Sequence, residues 1–243
     1  MTNTDFLFCL LSTDGTRDEV EMVDEIGKSK NVLAAASYTD GTFALIAEYQ
    51  GLQELQEIGT FLRTLQSVEN AEIHTFIQSG GAKMNLTKTH LRVLEPLIDD
   101  PRLPIVDVAQ KTGLTARRVR RLIRELEEGG VLHFTALLEL GAAASIPFIV
   151  QIHWNETTTT YSTITDWLIK DYSLEHWETY VSASEPVIYS LLVADDLTHL
   201  TATVRSIRQN EYVTSVKALI GYHHKYFSSS RHKMLIKMVK ERS

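Results

Sequence analysis

The feature that most constrains the fold is a repeat of pattern at a long, nearly constant offset. In residues 5–78 an apolar, strand-like run at 6–11 is followed by a turn at Thr13-Asp14-Gly15. Residues 16–26 then space Val20, Val23 and Ile26 as a helix does. Two strand-like runs, 32–38 and 42–49, flank Thr39-Asp40-Gly41, and Asp-Gly is a strong hairpin-turn signal. Residues 52–65 carry one apolar helical face through Leu52, Leu55, Ile58, Leu62 and Leu65, and residues 71–78 alternate as a last strand. The same order returns in residues 146–220, as strand 147–154, helix 160–171, strands 176–181 and 187–193, helix 197–208 and strand 213–220. Val32 and His176 lie 144 residues apart and Thr42 and Val187 lie 145 apart, although little residue identity survives.

A βαββαβ unit predicts a four-stranded antiparallel sheet with both helices on one face. The other face is left bare and must be buried against something, commonly a second copy. Two copies in one chain can pair with each other or exchange between chains, and the sequence alone leaves both open. Gly80-Gly81 and residues 141–145 resemble linkers. The expected domains are therefore residues 1–80, 84–141 and 145–227, followed by a basic tail, 228–243.

The middle segment has a different character. Thr87 is a good N-cap for a helix marked by Leu91, Leu94 and Ile98, with Pro96 inside it. A short helix over 104–112 turns Ile105, Val108 and Ala109 inward, Gly113-Leu114 makes a turn, and Thr115 caps a helix over 116–128. A short helix, a Gly-containing turn and a capped second helix is the helix-turn-helix arrangement. In the last helix Val119, Leu122, Ile123 and Leu126 share one side, and Arg117, Arg120, Arg121 and Arg124 share the opposite one, with Arg118 on the flank. The guanidinium fork matches phosphate oxygens and the guanine acceptors of the major groove. Net charge over the chain is −7, yet residues 86–133 hold nine Lys/Arg against seven Asp/Glu. The local excess sits where the arginine helix is, which favours a DNA-binding face over a merely solvated one. Residues 128–141 then suggest a turn and a β-hairpin, a wing.

Residues 103–113, 114–126 and 130–141 resemble the winged helix-turn-helix of the Lrp/AsnC family of prokaryotic regulators, and residues 146–220 follow the order of its βαββαβ domain, called RAM. The expected fold class is thus α+β, with two ferredoxin-like (RAM-like) units flanking a central winged helix-turn-helix. The resemblance implies a homodimeric transcription regulator that binds double-stranded DNA through Thr115, Arg117, Arg118, Arg120, Arg121 and Arg124. The family pairs its RAM units between subunits, which favours exchange of sheets between two chains. It also implies a small-molecule effector, often an amino acid, near a Gly-x-x-Asp turn between the second and third strands. The corresponding residues here are Ser182, Ser184 and Glu185 in one unit and Asp40 and Gly41 in the other, and neither turn keeps that pattern. The chain departs from the family plan by its additional unit in front. Two rivals are a siroheme-decarboxylase-like enzyme, since such relatives share the domain plan, and a chromosome-organising protein of low sequence preference.

Other features exclude more than they suggest. No apolar run approaches the ~20 residues of a membrane span, and residues 6–11 lack the basic start of a secretory signal, so a cytoplasmic protein without membrane contact is expected. Cys9 is the only cysteine, so no intrachain disulfide forms, and its apolar setting suggests a buried thiol. His223-His224 is the densest histidine pair, but neighbours on a strand point to opposite faces. No Gly-rich phosphate loop, paired catalytic carboxylates or nucleophile elbow appears, so neither enzyme activity, a metal nor a cofactor is expected. Trp154, Trp167 and Trp177 are expected in core or interface, and the tail's apolar stripe (Met234, Leu235, Met238 and Val239) suggests a helix packed on a partner subunit.

Overall fold

A computed structural model describes residues 4–77, 84–130, 145–228 and 230–241. The chain divides into two compact units, one holding residues 4–77 and 145–227, the other residues 84–130 and the C-terminal helix.

The larger unit contains both βαββαβ repeats. The first comprises β1 (Asp5–Thr13), α1 (Glu19–Ile26), β2 (Val32–Tyr38), β3 (Thr42–Tyr49), α2 (Gly51–Thr64) and β4 (Val68–Thr75). Helix α1 begins three residues later than the apolar spacing suggests, because Asp18 Oδ1 accepts hydrogen bonds from the amides of Val20 and Glu21, both 3.0 Å. In the smaller unit α3 (Lys88–Asp99), α4 (Ile105–Thr112) and α5 (Ala116–Glu128) follow. The second repeat comprises β5 (Ile146–Trp154), α6 (Tyr161–Asp171), β6 (His176–Val181), β7 (Val187–Ala194), α7 (Leu197–Arg208) and β8 (Val213–Tyr226), after which α8 (Ser230–Lys240) ends the chain.

Strand alternation divides the larger unit's core into three parts. Leu7, Cys9 and Leu11 of β1 face α1 and α2, in a cluster with Met22, Ile26 and Leu62. Phe148, Val150 and Ile152 of β5 face α6 and α7, in a cluster with Ile164, Leu168 and Ile207. The residues between them point the other way: Phe8 and Leu10 meet Ile149, Val187, Tyr189 and Leu219 in one cluster drawn from both repeats. The bare faces of the two sheets are thus buried against each other within one chain. An aromatic stack fills that space, with Phe8 and Tyr189 rings 4.4 Å apart and Phe76 and Tyr180 rings 4.7 Å apart.

The two sheets are also hydrogen-bonded into one. Its eight strands run β4-β1-β3-β2-β8-β5-β7-β6, every pair antiparallel. Strand β8 makes the join: Val213–Ile220 pairs with β5, and the following residues, from Gly221 to Tyr226, pair with β2. The strand continues six residues past its expected end at Ile220. A register shift between Ser37 and Tyr38 lies opposite Gly221, where the strand passes from one partner to the other. At the other edge β4 and β6 meet, through a bridge between Phe76 and Ser182 and a hydrogen bond of 2.7 Å from the Ala183 amide to the Thr75 carbonyl. Exchange of sheets between chains, expected from the family resemblance, is therefore not the arrangement seen, because one chain covers both faces and pairs both sheets itself.

In the smaller unit α3 is clasped from two sides. Val93 and Leu97 pack with Val108, Ala109, Val119 and Leu122 of α4 and α5. Leu91 and Leu94 pack with Leu126 of α5 and Val239 of α8, with Leu235 and Met238 beside them. The tail expected on a partner subunit is thus a fourth helix on its own chain's helix-turn-helix. The chain's apolar stripe has found its partner nearby. Among the described residues no helix is long and apolar enough to cross a membrane.

All three tryptophans lie in the second repeat. Phe8, 1% exposed, lies in the first and packs on the second. Phe8→Ala should therefore cost about 3–5 kcal/mol and lower the urea midpoint reported by tryptophan fluorescence. An unmoved tryptophan transition would show that the repeats do not share this core.

Candidate nucleic-acid interface

The arginine helix α5 is positioned by its cap and its apolar side. Gly113 ends α4 at φ 62°, the left-handed conformation favoured by glycine, and its amide bonds back to the carbonyls of Ala109 and Gln110. Two residues later the Thr115 side chain accepts from the Arg118 amide at 3.3 Å and starts α5. Val119, Leu122 and Leu126 are buried, which turns Arg117, Arg118, Arg120, Arg121 and Arg124 to solvent. All six residues expected at a DNA face are exposed, five of them on α5 and Thr115 at its N-cap.

The charge of this helix conflicts with its own stability. Its first turn holds no acid and two arginines, at the end where the helix dipole is already positive. Such an arrangement costs stability unless an anion approaches, and phosphate suits an N-terminal turn with free amides. The helix end is acidic instead. Arg121 Nε lies 3.2 Å from Glu125 Oε1, four residues on, so this arginine has a carboxylate partner that the sequence pattern did not reveal. Glu125 Oε2 in turn lies 3.5 Å from Nε2 of His90, which is buried. The expected wing, residues 128–141, lies outside the described residues beyond Gly130.

The two turns assigned to an effector are occupied by the fold itself. Asp40 Oδ2 lies 3.1 Å from Lys217 Nζ, and Asp40 Oδ1 accepts from the Thr42 amide at 3.1 Å. Partial burial alone would raise the Asp40 carboxyl, but the bonds from Thr42 and Lys217 outweigh it and hold it below the usual carboxylate range. Gly41, at φ 79°, makes the hairpin turn, and its carbonyl accepts from Thr13 Oγ1. In the other turn Ser182 Oγ accepts from the amides of Ser184 and Glu185, at 3.3 and 3.2 Å. Of these residues Ser184 faces a cleft of about 390 Å³, which Leu55, Gln56, Arg63, Ile73 and Thr75 also line.

A part-buried polar network behind that turn was missed by sequence reasoning, because its members lie far apart in the chain, on β4, on β7 and in the β6–β7 turn. Glu72 Oε1 accepts from Tyr189 O–H at 2.8 Å and lies 2.8 Å from His74 Nε2, while His74 Nδ1 lies 3.0 Å from Ser182 Oγ. With the histidine proton on Nε2, Ser182 donates to Nδ1 and every group is satisfied. The line Ser182–His74–Glu72 looks like a nucleophile with its base, but Ser182 is 3% exposed and its oxygen is held by two amides. Its work is to tie β4 to the β6–β7 turn. Burial would push the Glu72 carboxyl up, yet hydrogen bonds from His74 and Tyr189 prevail and hold it down. Cys9 is fully buried, and burial first, then the Glu72 charge, pushes its thiol up to about 12, so it is no nucleophile. His223 and His224 oppose Ser37 and Ala36 on β2, and Trp154 is buried while Trp177 is 38% exposed.

Comparison with known proteins agrees with this geometry. Residues 86–132 match a family described as winged helix-turn-helix DNA-binding, which covers α3, α4 and α5. No curated protein matches the chain. Among solved structures, the siroheme decarboxylase NirDL is similar over 98% of this chain and 79% of its own, at 12% identity and a TM-score of 0.57. The leucine response regulatory protein LrpA of Mycobacterium tuberculosis is similar over 59% of this chain and 96% of its own, at 19% identity and a TM-score of 0.47. AsnC of E. coli is similar over 60% and 98%, at 12% identity and a TM-score of 0.44. At 12% identity the likeness to NirDL is one of fold.

Because the folded-state carboxyl of Glu72 is held low, its contribution is present above its unfolded value, about 4.3, and is lost as pH falls through the lower folded value. Glu72→Gln should thus be less stable than wild type at neutral pH, with the gap closing below about pH 4. A gap that stays constant in acid unfolding would contradict this account of the network.

Proposed function

We propose that the chain is a DNA-binding transcription regulator of the Lrp/AsnC type, and that α5 is its recognition helix in the major groove. The observation that carries this reading is the set of five exposed arginines on the second helix of a helix-turn-helix, two of them in the first turn against the helix dipole. An enzyme has no need of such a stripe, and the reading assigns the chain no catalytic step. The fold likeness to NirDL motivates the opposite test: incubation with siroheme should give neither tight binding nor release of carbon dioxide.

A specific DNA site usually presents two half-sites to two recognition helices. Each chain carries one arginine helix, so the reading places two chains on one operator. The intramolecular sheet removes the need for a dimer to cover the sheets, and leaves the DNA as the reason for one.

The cleft beside Ser184 supports a sensing role. It joins apolar walls, Leu55 and Ile73, to Arg63, which among the described residues has no carboxylate in ion-pairing distance. This lining suits a small molecule with an apolar body and a carboxylate. A panel of such metabolites should contain one that shifts DNA affinity, and Arg63→Ala should abolish the shift. DNA affinity unchanged across the panel would leave the regulator without an effector here.

Alanine at Arg117, Arg120, Arg121 and Arg124 together should abolish binding to a site selected from random duplexes. Single substitutions should cost about 1–3 kcal/mol each at a base contact and lower the salt slope at a phosphate contact. Wild-type-like binding by the quadruple variant would refute the reading. Light scattering of the saturated complex should give two chains of 27.5 kDa per duplex, and one chain would refute the paired arrangement.

A further inference from the structure

The structure assigns base reading within α5 to Arg121, with Glu125 and His90 as the residues that position it. This inference rests on the DNA-binding reading above. The two kinds of DNA contact make different demands on an arginine. Phosphate oxygens tolerate many approaches and set affinity, whereas a base edge needs a guanidinium fork in one orientation and sets sequence. A long side chain free in solvent must give up its rotamer freedom to meet the second demand. One that is already held gives up less, which is the gain from preorganisation.

Arg121 is the one so held. Among the described residues it is the only arginine of the five on α5 with a carboxylate in ion-pairing distance, Glu125 Oε1 at 3.2 Å from its Nε. An exposed pair of this kind is weak alone, but here the carboxylate is anchored from behind. The Thr87 amide donates to His90 Nδ1 at 3.1 Å, in the capping box that starts α3. That bond makes Nδ1 the acceptor and places the ring proton on Nε2, the nitrogen that faces Glu125 Oε2 at 3.5 Å. His90 is 5% exposed, so the anchor belongs to the packed unit. The chain Thr87–His90–Glu125–Arg121 thus runs from the α3 cap through a buried imidazole to the solvent face of the recognition helix. The Glu125 carboxylate lies on the Nε side of the Arg121 guanidinium, and the two terminal nitrogens match the two acceptors of a guanine, O6 and N7. Among the described residues Arg117, Arg120 and Arg124 have no such hold, and they suit phosphates.

The experiment is selection of bound duplexes from a random pool by wild type, Glu125→Gln, His90→Gln, Arg121→Lys and Arg120→Ala, followed by affinities for the selected duplex, its base-substituted forms and a non-specific duplex. Thermal unfolding of each variant separates loss of fold from loss of reading. Wild type should require guanine at one position in each half-site. Glu125→Gln and Arg121→Lys should relax that same position by about 10-fold, with non-specific affinity equal or higher for Glu125→Gln, because a negative charge has gone. A variant carrying both Glu125→Gln and Arg121→Lys should be no worse than Arg121→Lys alone, and His90→Gln, if folded, should relax the same position less. Arg120→Ala should weaken all duplexes alike and lower the salt slope by about one. Full guanine preference in Glu125→Gln, or loss of that preference in Arg120→Ala instead, would overturn the assignment. Wild type that binds DNA without base preference would overturn it while the DNA-binding reading stands, and wild type that binds no DNA would overturn both.

Discussion

The pairing of β8 with both β5 and β2 is the interaction on which the larger unit depends. A βαββαβ sheet with helices on one face has an apolar face to hide. In this chain two such faces are hidden against each other, and β8 extends the hydrogen-bond ladder across the boundary between the repeats. The consequences follow from that one strand. Phe8, Tyr189 and Leu219 become a shared interior, β4 is brought to β6 at the opposite edge, and the polar line from Glu72 through His74 to Ser182 has a place to form. Buried polar groups are costly unless all are satisfied. This network meets that condition only because residues from both repeats contribute to it.

The helix-turn-helix unit obeys a different logic. Its fold rests on α3, whose two apolar sides are covered by α4 and α5 on one hand and α8 on the other. With its core met elsewhere, α5 is free to carry five arginines outward, including two in the first turn where the dipole opposes them. A local choice that works against the helix is characteristic of a site shaped by a ligand rather than by folding. Among the described residues one arginine of that set, Arg121, has a carboxylate partner, Glu125, which itself lies 3.5 Å from His90.

Much of this was legible in the sequence because it is local. The hairpin β2–β3 follows from Asp40-Gly41 between two apolar runs, and its strand limits fall where the pattern puts them. The caps Thr87 and Thr115 and the turn at Gly113 locate α3, α4 and α5 to within a residue. What the sequence did not show depends on distant partners. Residues from Gly221 to Tyr226 have neither strict alternation nor an apolar face, and they are strand because β2 lies beside them. Tail residues 230–240 show an apolar stripe without indicating what covers it, and the answer, Leu91 and Leu94, is far away in sequence. The stripe of arginines was plain, but the hold on Arg121 needs His90, which looks like any helix histidine until its ring is seen in the cap. The effector turns were placed by resemblance alone, and the structure shows the Asp40 and Ser182 side chains already engaged, with Ser184 at the edge of an open cleft.

The central claim is that the two repeats form one sheet through β8, and amide hydrogen exchange along that strand tests it most directly. In a strand that pairs with β5 over its first half and with β2 over its second, amides on both sides of Gly221 should open together, in the slowest-exchanging, globally protected class. Fast exchange in residues 221–226 alongside full protection in 213–220 would contradict the account, because it would mean that the repeats fold as separate sheets.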